Sequence, residues 1–347
     1  MTTLADLWFV SLGLSAAALT IMAVLIVARL IGGRQQRRYQ LERRRLLPML
    51  LADVPDEQLY DFASDRPKLL GQLIADLIQL VRGEERERFV ATATRLGLAG
   101  NLRRQLRHGP ARARITAAEI LADFLDDSCT AALEDALDDR DSDVRLAAAL
   151  SLASSGRAPP ARLLVTRLGL GAGERSMLVV TLLAEIVRER AGEVRALILD
   201  ADMPPAVKAA AIEALADSGD YTLVPIITQF ALRAGDDAEE LPRFLRALGR
   251  FQHPAAAPAV EKSLYSPIWW VRAAAAEAAG RIGLVKTAPF LVTLLNDPDW
   301  WVRFRAGEAL ARLGEAGQRL LGDTSRSGPG RSRKAAILTL AEQVRAA

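Results

Sequence analysis

The sequence predicts an all-α fold: an α-solenoid of about eight to nine helical hairpins, preceded by one transmembrane helix. Three observations lead there. A pattern built on an anchor residue, cationic in every copy but one, returns every 30 to 33 residues over most of the chain, and such a period marks stacked supersecondary units. Residues 7–28 carry no charged side chain. Half of the residues are hydrophobic but only 5% are aromatic, a composition suited to close helix packing through small side chains.

Residues 1–33 read as a membrane anchor. The uncharged run from Leu7 to Ala28 is long enough, at about 1.5 Å per residue, to span a hydrocarbon core of about 30 Å. A cleaved signal peptide would want a basic leader and a shorter apolar core; here Asp6 is the only charge before the run. Arg29, Arg34, Arg37, Arg38, Arg43, Arg44 and Arg45 come next within residues 29–45, against Glu42 alone. The positive-inside rule then sets this flank in the cytoplasm and the N-terminus outside, with Trp8 at the outer interface. The same arginines suit contact with anionic headgroups, and a plain stop-transfer flank explains them equally well. The expected localisation is a bacterial inner membrane.

Residues 34–55 form the basic juxtamembrane segment, and residues 56–100 a helical lead-in that caps the solenoid. Pro55 and Pro67 open helices, Gly83 breaks the second, and Glu84–Leu96 comes after it as a degenerate repeat helix anchored on Arg86 and ended by Gly97. A terminal unit buries a neighbour on one side only, so an atypical cap is expected.

Residues 101–347 hold the repeats. Their anchors are Arg114, Arg145, Arg175, Lys208, Leu241, Arg272, Arg303 and Lys334. Around Arg303 stand Asp297, Ala306, Leu310 and Gly314; around Arg272 stand Ser266, Ala275, Ala279 and Gly283. Copies around Arg145 (Asp139, Ala148, Leu152, Gly156) and Lys208 (Asp202, Ala211, Leu215, Gly219) are clear. Those around Arg114 (Ala117, Leu121), Arg175 (Leu178, Leu182), Leu241 (Leu248) and Lys334 (Ile337, Ala341) are weaker. An Asp or Ser before Pro reads as an N-cap with Pro at the first helical position. Small and apolar residues three and seven after the anchor share one helical stripe. Glycine ends the helix in a left-handed cap. A second apolar run, Ala288 to Leu295 in one copy, precedes each anchor. Each unit is therefore a first helix, a short turn and a second helix. This pattern resembles the HEAT repeat family in its short bacterial form, similar to the repeats of phycobilisome lyases. The resemblance covers roughly residues 84–345; it implies a solenoid and says little about activity.

Charge argues against nucleic acid as a partner. The chain is +3 overall, but the arginine flank accounts for it, and residues 46–347 carry two net negative charges. Binding phosphates needs positive charge on the binding domain itself. Cys129, the single cysteine, reads as a small buried hydrophobe. His108 and His253 are far apart without cysteine partners, so no metal and no cofactor is expected. The acid pairs Asp126-Asp127 and Asp236-Asp237 belong to turns. Gly169 to Glu174 lacks the strand and the Gly-Lys-Ser/Thr of a phosphate loop and reads as a flexible link. Asp323 to Arg333 reads as a mobile loop before a final helix Lys334–Val344. No catalytic motif is present.

Two tryptophan pairs stand apart. Trp269-Trp270 and Trp300-Trp301 hold four of the five tryptophans at equivalent positions of adjacent units. One residue of each pair is expected to cover the neighbouring unit. Consecutive helical residues point about 100° apart, so the other is expected to face outward. Flanked by Arg272, Arg303 and Arg305, the exposed rings have the composition of an interaction hot spot. Arg272 and Arg303 are also expected to bond turn carboxylates such as Asp297. The function read from these features is a membrane-anchored, non-catalytic scaffold that binds a protein partner, such as a membrane-embedded enzyme or transporter. The alternative is a HEAT-like lyase or hydrolase acting in the concave groove.

Overall fold

The computed structural model describes residues 83–95, 97–124, 126–171 and 177–346, with Met22, Ile74, Leu77, Ile78, Leu80 and Val81 besides. The predicted transmembrane helix apart from Met22, the arginines from Arg29 to Arg45, the lead-in helix opened by Pro55, most of the one opened by Pro67, and the anchor Arg175 lie outside the described residues. Among the described residues no helix is long and apolar enough to cross a membrane.

Chain contacts divide the molecule into two units, Met1–Arg104 and Gln105–Ala347. In the first, helix α1 (Glu84–Arg95) lies between Gly83 and Gly97, both at positive φ. Glu84, Glu85 and Glu87 occupy its first turn, where carboxylates complement the helix dipole. Phe89 and Ala93 are its buried residues, three and seven positions after Arg86, as in the later repeats. Helix α2 (Leu98–His108) begins in this unit.

The second unit is all-helical over its described residues. It contains α3 (Ala111–Leu121), α4 (Asp127–Ala136), α5 (Ser142–Ser154), α6 (Ala161–Leu168), α7 (Met177–Leu199), α8 (Pro205–Leu215), α9 (Val224–Arg233) and α10 (Leu241–Phe251). It continues with α11 (Ala257–Leu264), α12 (Trp269–Ile282), α13 (Ala288–Leu294), α14 (Trp300–Arg312), α15 (Gly314–Ser327) and α16 (Gly330–Ala346). The second helices of successive hairpins pack on one another in sequence: α3 on α5, α5 on α7, α8 on α10, α10 on α12, α12 on α14 and α14 on α16. Each first helix packs on its own partner, as α4 does on α5, α11 on α12 and α13 on α14. This is a two-layer helical stack with the periodicity the anchors require.

The stripe residues explain the stack. Ala148, Leu152, Ala211, Leu215, Ala275, Ala279, Ala306 and Leu310 are all buried, and each large apolar side chain so removed from water contributes about 1.5–3 kcal/mol. Alanine and glycine let the second helices approach closely. A Cβ on Gly280 would lie 2.5 Å from the Ala309 Cα, and one on Gly249 would lie 3.1 Å from the Ala278 Cα. Gly156, Gly219, Gly283 and Gly314, eleven residues after their anchors, all take positive φ. At the same position of the Leu241 unit Gln252 does so instead, at φ 52°.

Four local expectations are corrected. The Asp-Pro or Ser-Pro pair does not cap the helix. Asp299 caps α14 by accepting from the Trp301 N–H, and Asp141 caps α5. Asp297 instead closes the preceding turn by accepting from the Asp299 N–H at 2.9 Å. In the unit assigned to Arg175 the expected Leu182 is buried, but Leu178 is exposed, and Val179, Leu183 and Ile186 are buried with Leu182, which fits a stripe shifted by one residue. In the last unit Ala336 and Thr339 are buried and Ile337 is exposed, which moves that anchor from Lys334 to Arg333. Asp323 to Arg333 is mostly helix. Thr324, Ser325 and Ser327 donate their hydroxyls to carbonyls three or four residues back, so polar side chains are satisfied along α15. The break is confined to Gly328-Pro329, where proline disfavours helix in the residue before it.

Two links also differ. Gly169 is the left-handed cap of α6, and Leu170 after it is buried, which ties down the start of the glycine-rich link. Helix α7 joins the second helix of one unit to the first of the next across a non-helical residue, Arg190. Arg190 donates to the Ala158 carbonyl at 2.9 Å, and Glu193 accepts from the Ala161 N–H at 2.9 Å. The bend is thus held by the neighbouring hairpin.

Candidate functional site

The tryptophan pairs stand at the start of two helices whose positions are fixed by one aspartate. Arg272 donates through Nε and Nη2 to the two Asp297 carboxylate oxygens at 2.8 and 3.0 Å. Its Nη1 reaches back to the Ser266 and Pro267 carbonyls, both at 2.9 Å. Arg303, from the next unit, donates to the carbonyls of Asp297 at 2.7 Å and Pro298 at 2.9 Å. Asp297 is buried, so consecutive anchor arginines clip α12, the turn and α14 together. The expectation that these arginines bond the turn therefore holds, with carbonyls as the acceptors for Arg303.

The same clip occurs earlier. Arg114 donates to the Asp139 carboxylate at 2.9 Å and to the Gly109 carbonyl at 2.8 Å, and Arg145 donates to the Asp139 carbonyl at 2.9 Å. Asp139 accepts from the Asp141 N–H at 2.9 Å, as Asp297 does from Asp299. The two clips differ in the residues that begin the helix after them. Where the later one has Trp300 and Trp301, the earlier has Ser142 and Asp143.

All four tryptophans are partly exposed: Trp269 at 38%, Trp270 at 46%, Trp300 at 47% and Trp301 at 49%. The expected burial of one member of each pair is therefore corrected. Val271 and Val302, fully buried, take the inward position at the helix start. The two residues before them are rotated away by about 100° and 200°, so both rings of each pair face outward. Trp269 and Trp270 meet edge-to-face at 5.6 Å, and Trp300 and Trp301 at 4.7 Å. Trp300 also stacks on Phe304 at 5.2 Å with the rings 15° from parallel, and Trp301 meets the same ring edge-on. Phe304 escaped the sequence reading, although its spacing of four from Trp300 puts both on one helix face. The residue four after Trp269 is Ala273, so the first pair has no ring at the place of Phe304.

The third arginine of the expected site is also engaged. Arg305 pairs with Glu308 at 2.8 Å on its own helix and with Glu277 of α12 at 3.6 Å, and its guanidinium lies 5.7 Å from the Phe304 ring. Arg243 of α10 pairs in the same way with Glu213 of α8 at 2.6 Å. Arg250 bonds Asp217 and holds its carboxyl below the usual carboxylate range, against a smaller opposing effect of burial. Neighbouring second helices thus exchange charge with each other.

The remaining reactive residues have local roles. Cys129 is buried behind Asp126, which caps α4 by accepting from the Cys129 N–H. His253 accepts from the Ala255 N–H and lies 5.6 Å from the Tyr221 ring. Among the described residues no three His, Cys, Asp or Glu side chains are grouped so as to hold a metal ion.

A family model described as HEAT repeats matches residues 101–175, 231–311 and 266–341. No curated protein matches the sequence. Among solved structures, Kap121p bound to Pho4p is similar at 16% identity and a TM-score of 0.44, over 87% of this chain and 39% of that one. Kap121p bound to the SUMO protease Ulp1p gives the same identity, TM-score and coverage. An engineered protein is similar at 17% identity and a TM-score of 0.36, over 87% of this chain and 95% of its own. The chain thus spans about two fifths, 39%, of the Kap121p chains.

Proposed function

The chain belongs to the HEAT-repeat family, and from that premise we propose that it is a non-catalytic scaffold, tethered to a bacterial inner membrane, that binds a partner protein through its tryptophan edge. The observation that carries this reading is the contrast between the two clips. The same Arg–Asp–Arg joint forms with Ser142 and Asp143 at the helix start, so the joint does not need tryptophan there. Four partly exposed indoles with no demand from the fold make an exposed aromatic patch, and such patches mark interaction surfaces.

The tether rests on sequence: the uncharged run of residues 7–28 and the seven arginines after it. It sets the repeats in the cytoplasm, and confinement to a membrane raises the effective concentration of a membrane-embedded partner without any further contact. An enzyme or transporter of the same membrane is the partner class this topology suits.

Proximity crosslinking in membranes tests the proposal. A photoreactive residue replaces Trp270 or Trp301, with Asp143 as the control at the equivalent place of the other clip. A discrete adduct from the tryptophan positions alone is expected. Equal labelling from all three positions, or none from folded protein, would remove the partner-binding role.

A further inference from the structure

This inference deepens the partner-binding reading and rests on it: we propose that Arg303 receives a carboxylate of the partner protein, held by two nitrogens as Arg272 holds Asp297, beside the rings of Trp300 and Phe304. The two arginines are fixed alike. Arg272 donates Nη1 to the carbonyls of Ser266 and Pro267, and Arg303 donates Nη1 to those of Asp297 and Pro298, at the same spacing in sequence. A planar guanidinium held this way has its other N–H groups fixed as well. In Arg272 the remaining Nε and Nη2 take the two Asp297 carboxylate oxygens at 2.8 and 3.0 Å. In Arg303 the same two nitrogens have no partner among the described residues, and neither is buried. The chain places no acid where one would meet them. Asp297 stands 25 residues after Arg272, and Gly328 stands at that distance after Arg303. Counted back from Arg333, the next anchor, the place of Asp297 falls on Ser327, whose hydroxyl donates to the Asp323 carbonyl.

The surroundings favour an acidic protein segment. A guanidinium fork matches a carboxylate in both geometry and charge. Trp300 lies one helical turn before Arg303, so an acid seated there brings its neighbours against rings already stacked at 5.2 Å. Asp299, the nearest acid in sequence, accepts from the Trp301 N–H at 2.8 Å and forms no ion pair with Arg303. Helix α16, which packs on α14, begins with Arg331, Arg333 and Lys334, all exposed and none bonded to a carboxylate among the described residues. Arg145 supplies the contrast. It holds the equivalent end of the earlier clip and bonds a carbonyl alone. Asp141 and Asp143 precede it where Arg303 has Asp299 and Trp301, and Ser142 replaces Trp300. The extra acid repels a second carboxylate there, and no indole adds contact.

The test uses the full chain in phosphatidylcholine nanodiscs and its own fluorescence, because four of its five tryptophans belong to the edge. The probe is the chain's own turn, residues 295–299, as the blocked peptide Leu-Asn-Asp-Pro-Asp. The expected result is a saturable change in tryptophan emission, absent when asparagine replaces both aspartates of the peptide. Arg303→Gln should weaken binding about tenfold or more, and Arg145→Gln should leave it unchanged. Far-UV circular dichroism of both variants confirms the fold, and the comparison of the two peptides on the unaltered chain stands without them. Equal responses to the two peptides, no response to either, or an undiminished response from folded Arg303→Gln overturns the inference. So does an emission change with phosphatidylglycerol vesicles and none with the aspartate peptide, which would give the arginine to a phosphate headgroup. A crosslinked protein at Trp270 or Trp301 without a response to the aspartate peptide overturns this inference alone; the absence of any crosslink overturns the reading beneath it.

Discussion

The joint around Asp139 and the joint around Asp297 are built alike and finished differently. In both, one anchor arginine holds the aspartate side chain and the next holds its carbonyl. In both, the aspartate also accepts the N–H two residues on. The first then starts its helix with Ser142 and Asp143, the second with Trp300 and Trp301. The lesson is a separation of tasks. The buried polar joint belongs to the fold, and the residues just outside it are free to carry a surface function.

The largest expected effect breaks the joint itself. Asp297→Ala should cost about 3–5 kcal/mol, the scale for leaving one partner of a buried ion pair uncompensated. Asp139→Ala should cost less, because Arg114 makes one bond to its carboxylate where Arg272 makes two. Urea denaturation monitored by circular dichroism ranks the two, and equal losses would mean that the second Asp297 bond adds nothing.

A smaller effect separates the packing of the two regions. The residue eight after the anchor is Gly280 in the later unit and Ala153 in the earlier one. A Cβ on Gly280 meets the Ala309 backbone, so Gly280→Ala should destabilise by about 1–3 kcal/mol, as overpacking does. A neutral outcome in the same denaturation assay would show that α12 and α14 slide apart as easily as α5 and α7.

Smaller still is the effect on the fold of removing the rings. Trp300→Ser with Trp301→Asp gives the later joint the surface of the earlier one. It should cost about 1 kcal/mol, the scale of an aromatic pair at a surface, while weakening the crosslink from a photoreactive residue at position 270. A much larger loss of stability would give the tryptophans a structural part.

The smallest effect is on pH. In the earlier region Asp138 is exposed and its carboxyl is held below the usual range, first by its hydrogen bond to Arg167. A depressed folded value stabilises above the unfolded value and loses that stability as pH falls through the folded one. Exposed pairs contribute little, so Asp138→Asn should leave the denaturation midpoint nearly unchanged at neutral pH. It should reduce only slightly the further loss seen on acidification to about pH 3. A large shift would mean that the pair is shielded from water.

The sequence conveyed the architecture because its strongest signals, the buried alanines and leucines and the terminal glycines, recur with the helical period. It conveyed the clip because Asp297 and Arg303 keep a fixed spacing. It misplaced the units at Arg175 and Lys334, where neither candidate register carries a small residue three after the anchor together with a glycine eleven after. Burial alone then chooses between adjacent residues. The segment from Asp323 reads as a loop because serine and glycine favour loops in isolation. Packing of α15 on α16 and hydroxyl back-bonding outweigh that preference. The expected burial of one tryptophan per pair fails because both valines compete better for the inward position, a choice that depends on the neighbouring helix.

Hydrogen exchange on the chain carrying Trp300→Ser and Trp301→Asp, compared with the unaltered chain, tests the separation of fold and surface most directly. The account predicts unchanged protection of the amides of α12 and α14, since Asp297 and its arginines remain. Loss of protection confined to those two helices would contradict it and return the tryptophans to the fold.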